Sequence, residues 1–234
     1  TTADGRTIAV DRRRNPAPAT TAPTVPHRWL VQDSVAYVRI AGFDPSLYAD
    51  SAVAAIRGRY MSAAAIVVDV RGNGGGNTPM GLMRLLAAGR HAQGLRLVES
   101  KLRRDFGQVG GRLESLGDAD GYRGSAIVLA DRGCGSACED FVAPFATASW
   151  ARVIGDTTYG STGQPVFETL PTGMRFAVAA RRYTLADGRP FEDVGIPPHE
   201  VVPVTLEDVR AGRDPMLARA LAWAREQVGA GRLR

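Results

Sequence analysis

Apolar positions along this chain fall into two patterns. "AAIVVDV" and "SAIVLAD" are nearly continuous apolar runs of strand length, the signature of strands buried on both faces. "PSLYADSAVAAIRGRY", "TPMGLMRLLAAG" and "SACEDFVAPFATAS" instead repeat their apolar residues with helical spacing. In chain order the pattern predicts a strand at "SVAYVRIAGF", a helix, the strand "AAIVVDVRG", a second helix, strands at "LRLVES" and "SAIVLAD", a third helix and the strand "ARVIG". Strands alternating with helices imply an α/β fold with a mostly parallel sheet covered on both faces. Beyond it, "PVFETL", "PTG" and "MRFAVAARRYTL" predict a hairpin turning at Thr172 and Gly173. The tail predicts two helices, the second amphipathic through Met216, Leu217, Leu221 and Ala224.

The first residues read differently. "RTIAVDR" alternates as an edge strand does, and "NPAPATTAPTVP" has the composition of an extended linker. The expected organisation is therefore a strand and linker over 1–27, a core over 28–205 and C-terminal helices over 206–234. The opening "TTADGRT" has no initiator methionine, basic run or apolar run, so a targeting signal or upstream domain is expected to be missing.

Composition removes several classes of function. The chain has 234 residues and is 44% hydrophobic, enough for one sizeable core. No apolar run approaches the roughly 18–20 residues of a membrane span. The net charge of +5 comes from dispersed arginines, with Lys101 the only lysine, and the cluster Arg12–Arg14 lacks interleaved aromatics. Nucleic acid is not the expected partner. Two cysteines exclude a four-cysteine zinc site, and His27, His91 and His199 form no ligand cluster, so neither a metal nor another cofactor is expected.

Chemistry is expected in the loops that follow the two most apolar strands. "DVRGNGGGN" carries three consecutive glycines, Gly74 to Gly76, between a strand and a helix. Such a loop lets backbone amides approach an anion, and without a GK[ST] ending it suits an oxyanion hole better than a phosphate. "DRGCGSACEDF" poses an ambiguity. Ser136 followed by Glu139 matches a capping box, yet a serine at a strand-to-helix junction is also placed to be a nucleophile, with the next amide, that of Ala137, facing a developing oxyanion. Both readings stand on the residues alone. Cys134 and Cys138 bracket Ser136 and are spaced so that either a disulfide or two small buried packers would fit.

Taken in order, "DVRGNGGG" (69–76), "GSACE" (135–139), "GDTTYGSTGQP" (155–165) and "FEDVGIPPHEVV" (191–202) resemble the tail-specific, or C-terminal-processing, serine peptidases, which share a core with the tricorn protease and the interphotoreceptor retinoid-binding protein modules. The resemblance covers roughly 30–205. It implies a ClpP/crotonase-like core with Ser136 as nucleophile and the amides of Gly75 and Ala137 as oxyanion hole. It also implies an upstream domain, of PDZ type, ending in the first strand, and an extracytoplasmic location. The departure from the family pattern is the base. Members with a Ser/Lys dyad carry lysine where "YGSTG" has Ser161, and Lys101 is expected in the wrong part of the chain to replace it. In tricorn-like members a histidine is expected in the strand matching "AYVRI", where Arg39 stands, whereas their glutamate has a counterpart in Glu192. His27 and Glu139 are the candidate bases within the chain, and Ser161 with Glu192 would orient a base or bind substrate.

The function expected is a serine endopeptidase acting on extended or unfolded polypeptide through an acyl-enzyme. The alternatives are a catalytically impaired peptide- or lipid-binding module on the same core and, more remotely, a crotonase-like acyl-CoA enzyme. Oligomeric state is not legible.

Overall fold

The computed structural model describes residues 26–31, 34–44, 49–105, 107–110, 115–117 and 120–229. Of the strand and linker expected over 1–27, residues 1–25 lie outside the described residues, and His27 already belongs to the core sheet. Twelve strands follow: β1 (His27–Val31), β2 (Val35–Arg39), β3 (Ala65–Asp69), β4 (Ala92–Gln93), β5 (Arg96–Ser100), β6 (Ser115–Leu116), β7 (Ser125–Ala130), β8 (Arg152–Gly155), β9 (Pro165–Thr169), β10 (Arg175–Ala179), β11 (Arg181–Thr184) and β12 (Glu200–Val201). The helices are α1 (Ala49–Ala55), which continues into a π-helical turn at Ile56–Tyr60, α2 (Met80–Ala87), α3 (Ala137–Ala146), α4 (Leu206–Arg210) and α5 (Pro215–Gly229).

Six strands form the central sheet in the order β1-β2-β3-β7-β8-β12. All its pairs are parallel except β1 with β2. The fold is the expected α/β class. Alternation along the buried strands divides the core: Ile66, Val68, Ala126 and Val128 point into a layer with Leu82, Leu86, Phe141 and Phe145, while Ala65, Val67, Ile127 and Leu129 meet Met216, Ala220 and Ala224 of α5. The amphipathic tail helix thus closes the second face. No helix among the described residues is long and apolar enough to cross a membrane.

Two elements differ from the sequence pattern. The "LRLVES" strand, β5, is outside the central sheet and pairs antiparallel with β11. Arg96 and Glu99 are exposed and Leu97, Val98 and Ser100 only half-buried, as on a small surface ribbon. The expected hairpin forms as β9–β10, but its pairing, Val166 opposite Val178 and Glu168 opposite Phe176, centres the turn on Thr172 rather than between Thr172 and Gly173, and every residue of both strands is exposed.

Candidate active site

The site is built where the loops after β3, β7 and β8 converge, at the carboxyl ends of adjacent parallel strands. The loop after β3 is anchored first. Asp69, 1% exposed, takes bonds from Tyr37 Oη (2.8 Å), Arg39 Nη1 (2.7 Å) and Arg71, whose guanidinium also reaches both carboxylate oxygens of Asp214 at 2.8 Å. Burial alone would push the Asp69 carboxyl up. The bonds and charge of Arg71, with Tyr37 and Arg39, outweigh it and hold that carboxyl below its ordinary range, while Tyr37 is pushed up to about 12 by its burial and by Asp69. Arg39 is therefore spent on structure.

Beyond this anchor the chain turns through Asn73, which is fully buried. Its Nδ2 donates to Ile40 O (3.2 Å) and its Oδ1 accepts the Gly75 amide (2.9 Å). Gly75 has φ 102, and a Cβ there would lie 2.7 Å from Ser136 Cβ and 2.8 Å from Gly135 O, so only glycine lets the two loops touch.

Backbone bonds stitch the three loops together. Gly135 N donates to Asn73 O (3.1 Å), Ser136 N to Ser161 O (2.7 Å) and Tyr159 N to Cys134 O (2.9 Å). Cys134 and Cys138 are joined in a disulfide with Cα atoms 5.3 Å apart, spanning Ser136. Ser136 itself heads α3 with φ 55 and ψ −128, and its side chain makes no capping bond. The capping-box reading is overturned, because the backbone at Ser136 turns the side chain away from the first-turn amides. A non-glycine residue with this φ is strained by about 1–3 kcal/mol, and a strand-to-helix turn of this kind leaves the hydroxyl exposed above the sheet. Ala137 N donates to no described backbone group and lies 3.0 Å from the position of a Cβ on Gly75.

Glu139 does other work. It is fully buried, and its carboxylate accepts Thr158 Oγ1 (2.6 Å), Gly160 N (2.7 Å) and Ser161 N (2.7 Å). It clamps the "TYGS" loop onto α3. Burial raises its pKa against the lowering effect of those bonds. Next to it, Asp140 is bonded by Thr78 and Thr162. Glu192 accepts a long bond from Thr162 N (3.5 Å) and is also stabilised as a carboxylate by the Tyr183 amide, while its Oε1 is buried without a partner among the described residues. Its pKa is raised, first by burial and further by the charges of Glu139 and Asp193.

Ser161 is the junction between two cavities. One, of about 470 Å³, contains Ser136, Gly74, Arg132 and Tyr159, and the other, of about 320 Å³, contains Glu192 and Lys101. The expectation that Lys101 lies away from this block is corrected: pairing of β5 with β11 carries it there, with Lys101 N bonded to Ala180 O at 2.8 Å. The sequence offers no local signal for this, since the two strands are far apart in the chain. A third cavity, of about 580 Å³, runs from Ser136 past Asn77 and Leu102 to Val166 and Phe167 of β9.

The histidines are not brought to Ser136. His27 stands on the edge strand β1, two strands removed from β7's neighbour β3 in the sheet order, with Nδ1 2.8 Å from Tyr60 Oη. His199 Nδ1 accepts Val153 N at 2.9 Å, and His91 lines a cavity with Pro144 and Asp187.

This geometry agrees with what the chain is similar to. The family model described as peptidase family S41 matches residues 34–202. A chloroplastic C-terminal processing peptidase of Tetradesmus obliquus is 26% identical over 216 residues, covering 87% of this chain and 45% of the relative. A crystal structure of a candidate peptidase from Parabacteroides merdae superposes with a TM-score of 0.69 at 25% identity, covering 87% of this chain and 65% of that one. The tricorn protease shares the fold at a TM-score of 0.56 and 20% identity, over 82% of this chain and 18% of its own. The chain thus spans less than half of the curated algal relative. With the family model covering the three loops that meet at Ser136, the chain belongs to peptidase family S41.

Proposed function

We propose that this chain is the catalytic core of a serine endopeptidase that cleaves extended or unfolded polypeptide through an acyl-enzyme on Ser136. The observation that carries the reading is the backbone of Ser136: it is held at φ 55 at a helix start, with its hydroxyl given to no cap. The side chain makes no capping bond, and Ser136 lines a cavity.

The reaction follows from the neighbouring groups. Ser136 Oγ attacks the carbonyl carbon of the scissile peptide, and negative charge develops on the carbonyl oxygen. The amide of Ala137 is open to receive it, at the positive end of α3. The Gly75 amide is the second donor and must exchange Asn73 Oδ1 for the oxyanion. The leaving amine departs with a proton, and water then releases the acyl group from Ser136. A cavity of about 580 Å³ runs from Ser136 to β9, and a groove beside the nucleophile supports a polypeptide substrate. The resemblance of the four sequence blocks to tail-specific peptidases supports the same class. The Cys134–Cys138 disulfide supports an extracytoplasmic, oxidising location.

The test is covalent labelling by a fluorophosphonate, followed by intact mass, alongside cleavage of an unfolded protein such as casein. Wild type is expected to take up one equivalent, and Ser136→Ala none while remaining folded. Wild type that neither labels nor cleaves would favour a binding module on the same core.

A further inference from the structure

Ser136 stands where two cavities meet. The one of about 470 Å³ and the one of about 580 Å³ share no lining residue except Ser136. A chain laid across the nucleophile therefore enters a different cavity on each side of the bond to be cut. The charge in both is of one sign. Arg132 is the charged residue lining the first and Arg103 the charged residue lining the second, and no carboxylate lines either.

Both arginines are exposed, and among the described residues neither guanidinium has a partner. Their neighbours differ: Arg71 is held by Asp69 and Asp214, Arg181 by Asp105 and Arg182 by Glu99. The acids close to Arg132 in the chain are turned elsewhere. Asp131 Oδ1 accepts the amides of Gly72 (2.8 Å) and Gly133 (2.9 Å), Glu139 accepts Thr158 and two loop amides, and Asp140 accepts Thr78 and Thr162. Tyr159, 64% exposed, lines the cavity of Arg132 and adds a hydroxyl that no described residue uses. A guanidinium presents a planar fork of donors that fits a carboxylate through two parallel bonds. With no acid beside it to neutralise its charge, it favours carboxylates in a bound chain and disfavours lysine or arginine there.

We propose that the site selects acidic polypeptide, with an Asp or Glu side chain of the substrate on each side of the scissile bond, one taken by Arg132 and Tyr159 and the other by Arg103. This deepens the peptidase reading and rests on Ser136 being the nucleophile. The net charge of +5 draws the same class of substrate to the molecule as a whole. Because both arginines are exposed, each pair with a bound carboxylate is worth about fivefold in kcat/KM and weakens as salt rises.

The test begins with the bonds that the whole chain cuts in unfolded casein, mapped by mass spectrometry; acidic residues are expected close to the cut on both sides. A fluorogenic peptide is then built on the best-cut sequence with an amidated C-terminus, and the acid on each side is replaced in turn by its amide. Each replacement is expected to lower kcat/KM about fivefold at low salt and by less at high salt. Arg132→Gln should erase that ratio on one side of the cut and Arg103→Gln on the other, while Arg132→Glu should come to prefer a peptide with lysine on its side. A ratio does not depend on the folded fraction, so a partly unfolded variant still reports. Discrimination below about twofold in wild type, or a ratio that either Gln substitution leaves unchanged, would overturn the proposal and leave Ser136 as nucleophile. A preference that appears only when the peptide ends in a free carboxylate would overturn it too, since a chain terminus lies on one side of the cut alone. If wild type neither cuts casein nor takes up fluorophosphonate, the peptidase reading itself is wrong and the inference falls with it.

Discussion

A serine at a helix N-cap ordinarily lends its oxygen to the first-turn amides, and replacing it costs about 0.5–2 kcal/mol. Ser136 makes no such bond and sits at a φ that costs serine more than glycine. The expected signs for substitution are therefore opposite to those of a cap. Ser136→Gly should raise stability by about 1 kcal/mol in urea unfolding while abolishing fluorophosphonate labelling. A loss of stability near that of an ordinary cap would mean that the hydroxyl has a structural bond after all. Strain retained at one residue, and relieved only by removing its chemistry, is the expected mark of a site in which local stability gives way to function. Sequence pattern could not separate cap from nucleophile here, because both occupy the same position. The deciding quantity is a dihedral angle fixed by Ser161 O and the disulfide.

Among the elements, those legible in the sequence were the ones whose burial is set by their own periodicity: β3, β7, α3 and the amphipathic α5. The β5–β11 ribbon was not, and neither was the cavity it builds. Its pairing joins Arg181 to Ser100 across a long chain separation, and nothing in "LRLVESK" encodes that partner. Glu139 illustrates the same limit within the site. Its spacing from Ser136 predicted a cap or a base, whereas its bonds go to a loop some twenty residues later. The link from β3 to α5 carries a prediction of its own. Asp69 has a lowered pKa, so its contribution to stability is fully present above the unfolded value of 3.8 and is lost as pH falls through the lower folded value. Asp69→Asn should cost about 3 kcal/mol at pH 7, and the difference from wild type should shrink as pH falls below 3.8. A difference that persists undiminished in acid would assign the loss to packing rather than to charge.

At the scale of the molecule, the central sheet forms a rigid floor and the three loops meet on one end of it, while β9 and β10 project with all their residues exposed. The core is held on both faces without help from the disulfide, which closes only a short loop. The chain-entropy model gives such a loop about 2 kcal/mol, so reduction is expected to leave the protein folded. Its effect should instead be local, on the segment that holds Ser136. Both cysteines of the chain are used in this bond, and no free thiol remains. Alkylating agents therefore have nothing to react with until the bond is opened. Iodoacetamide alone should leave labelling of Ser136 untouched, whereas a reductant followed by iodoacetamide should add two carbamidomethyl groups and slow labelling severalfold or more, an effect that removing the reductant can no longer reverse. A protein treated in the opposite order should recover when air restores the bond. The order of addition thus gives the elbow a chemical memory: whether the site has ever been opened in the presence of an electrophile is recorded in its mass.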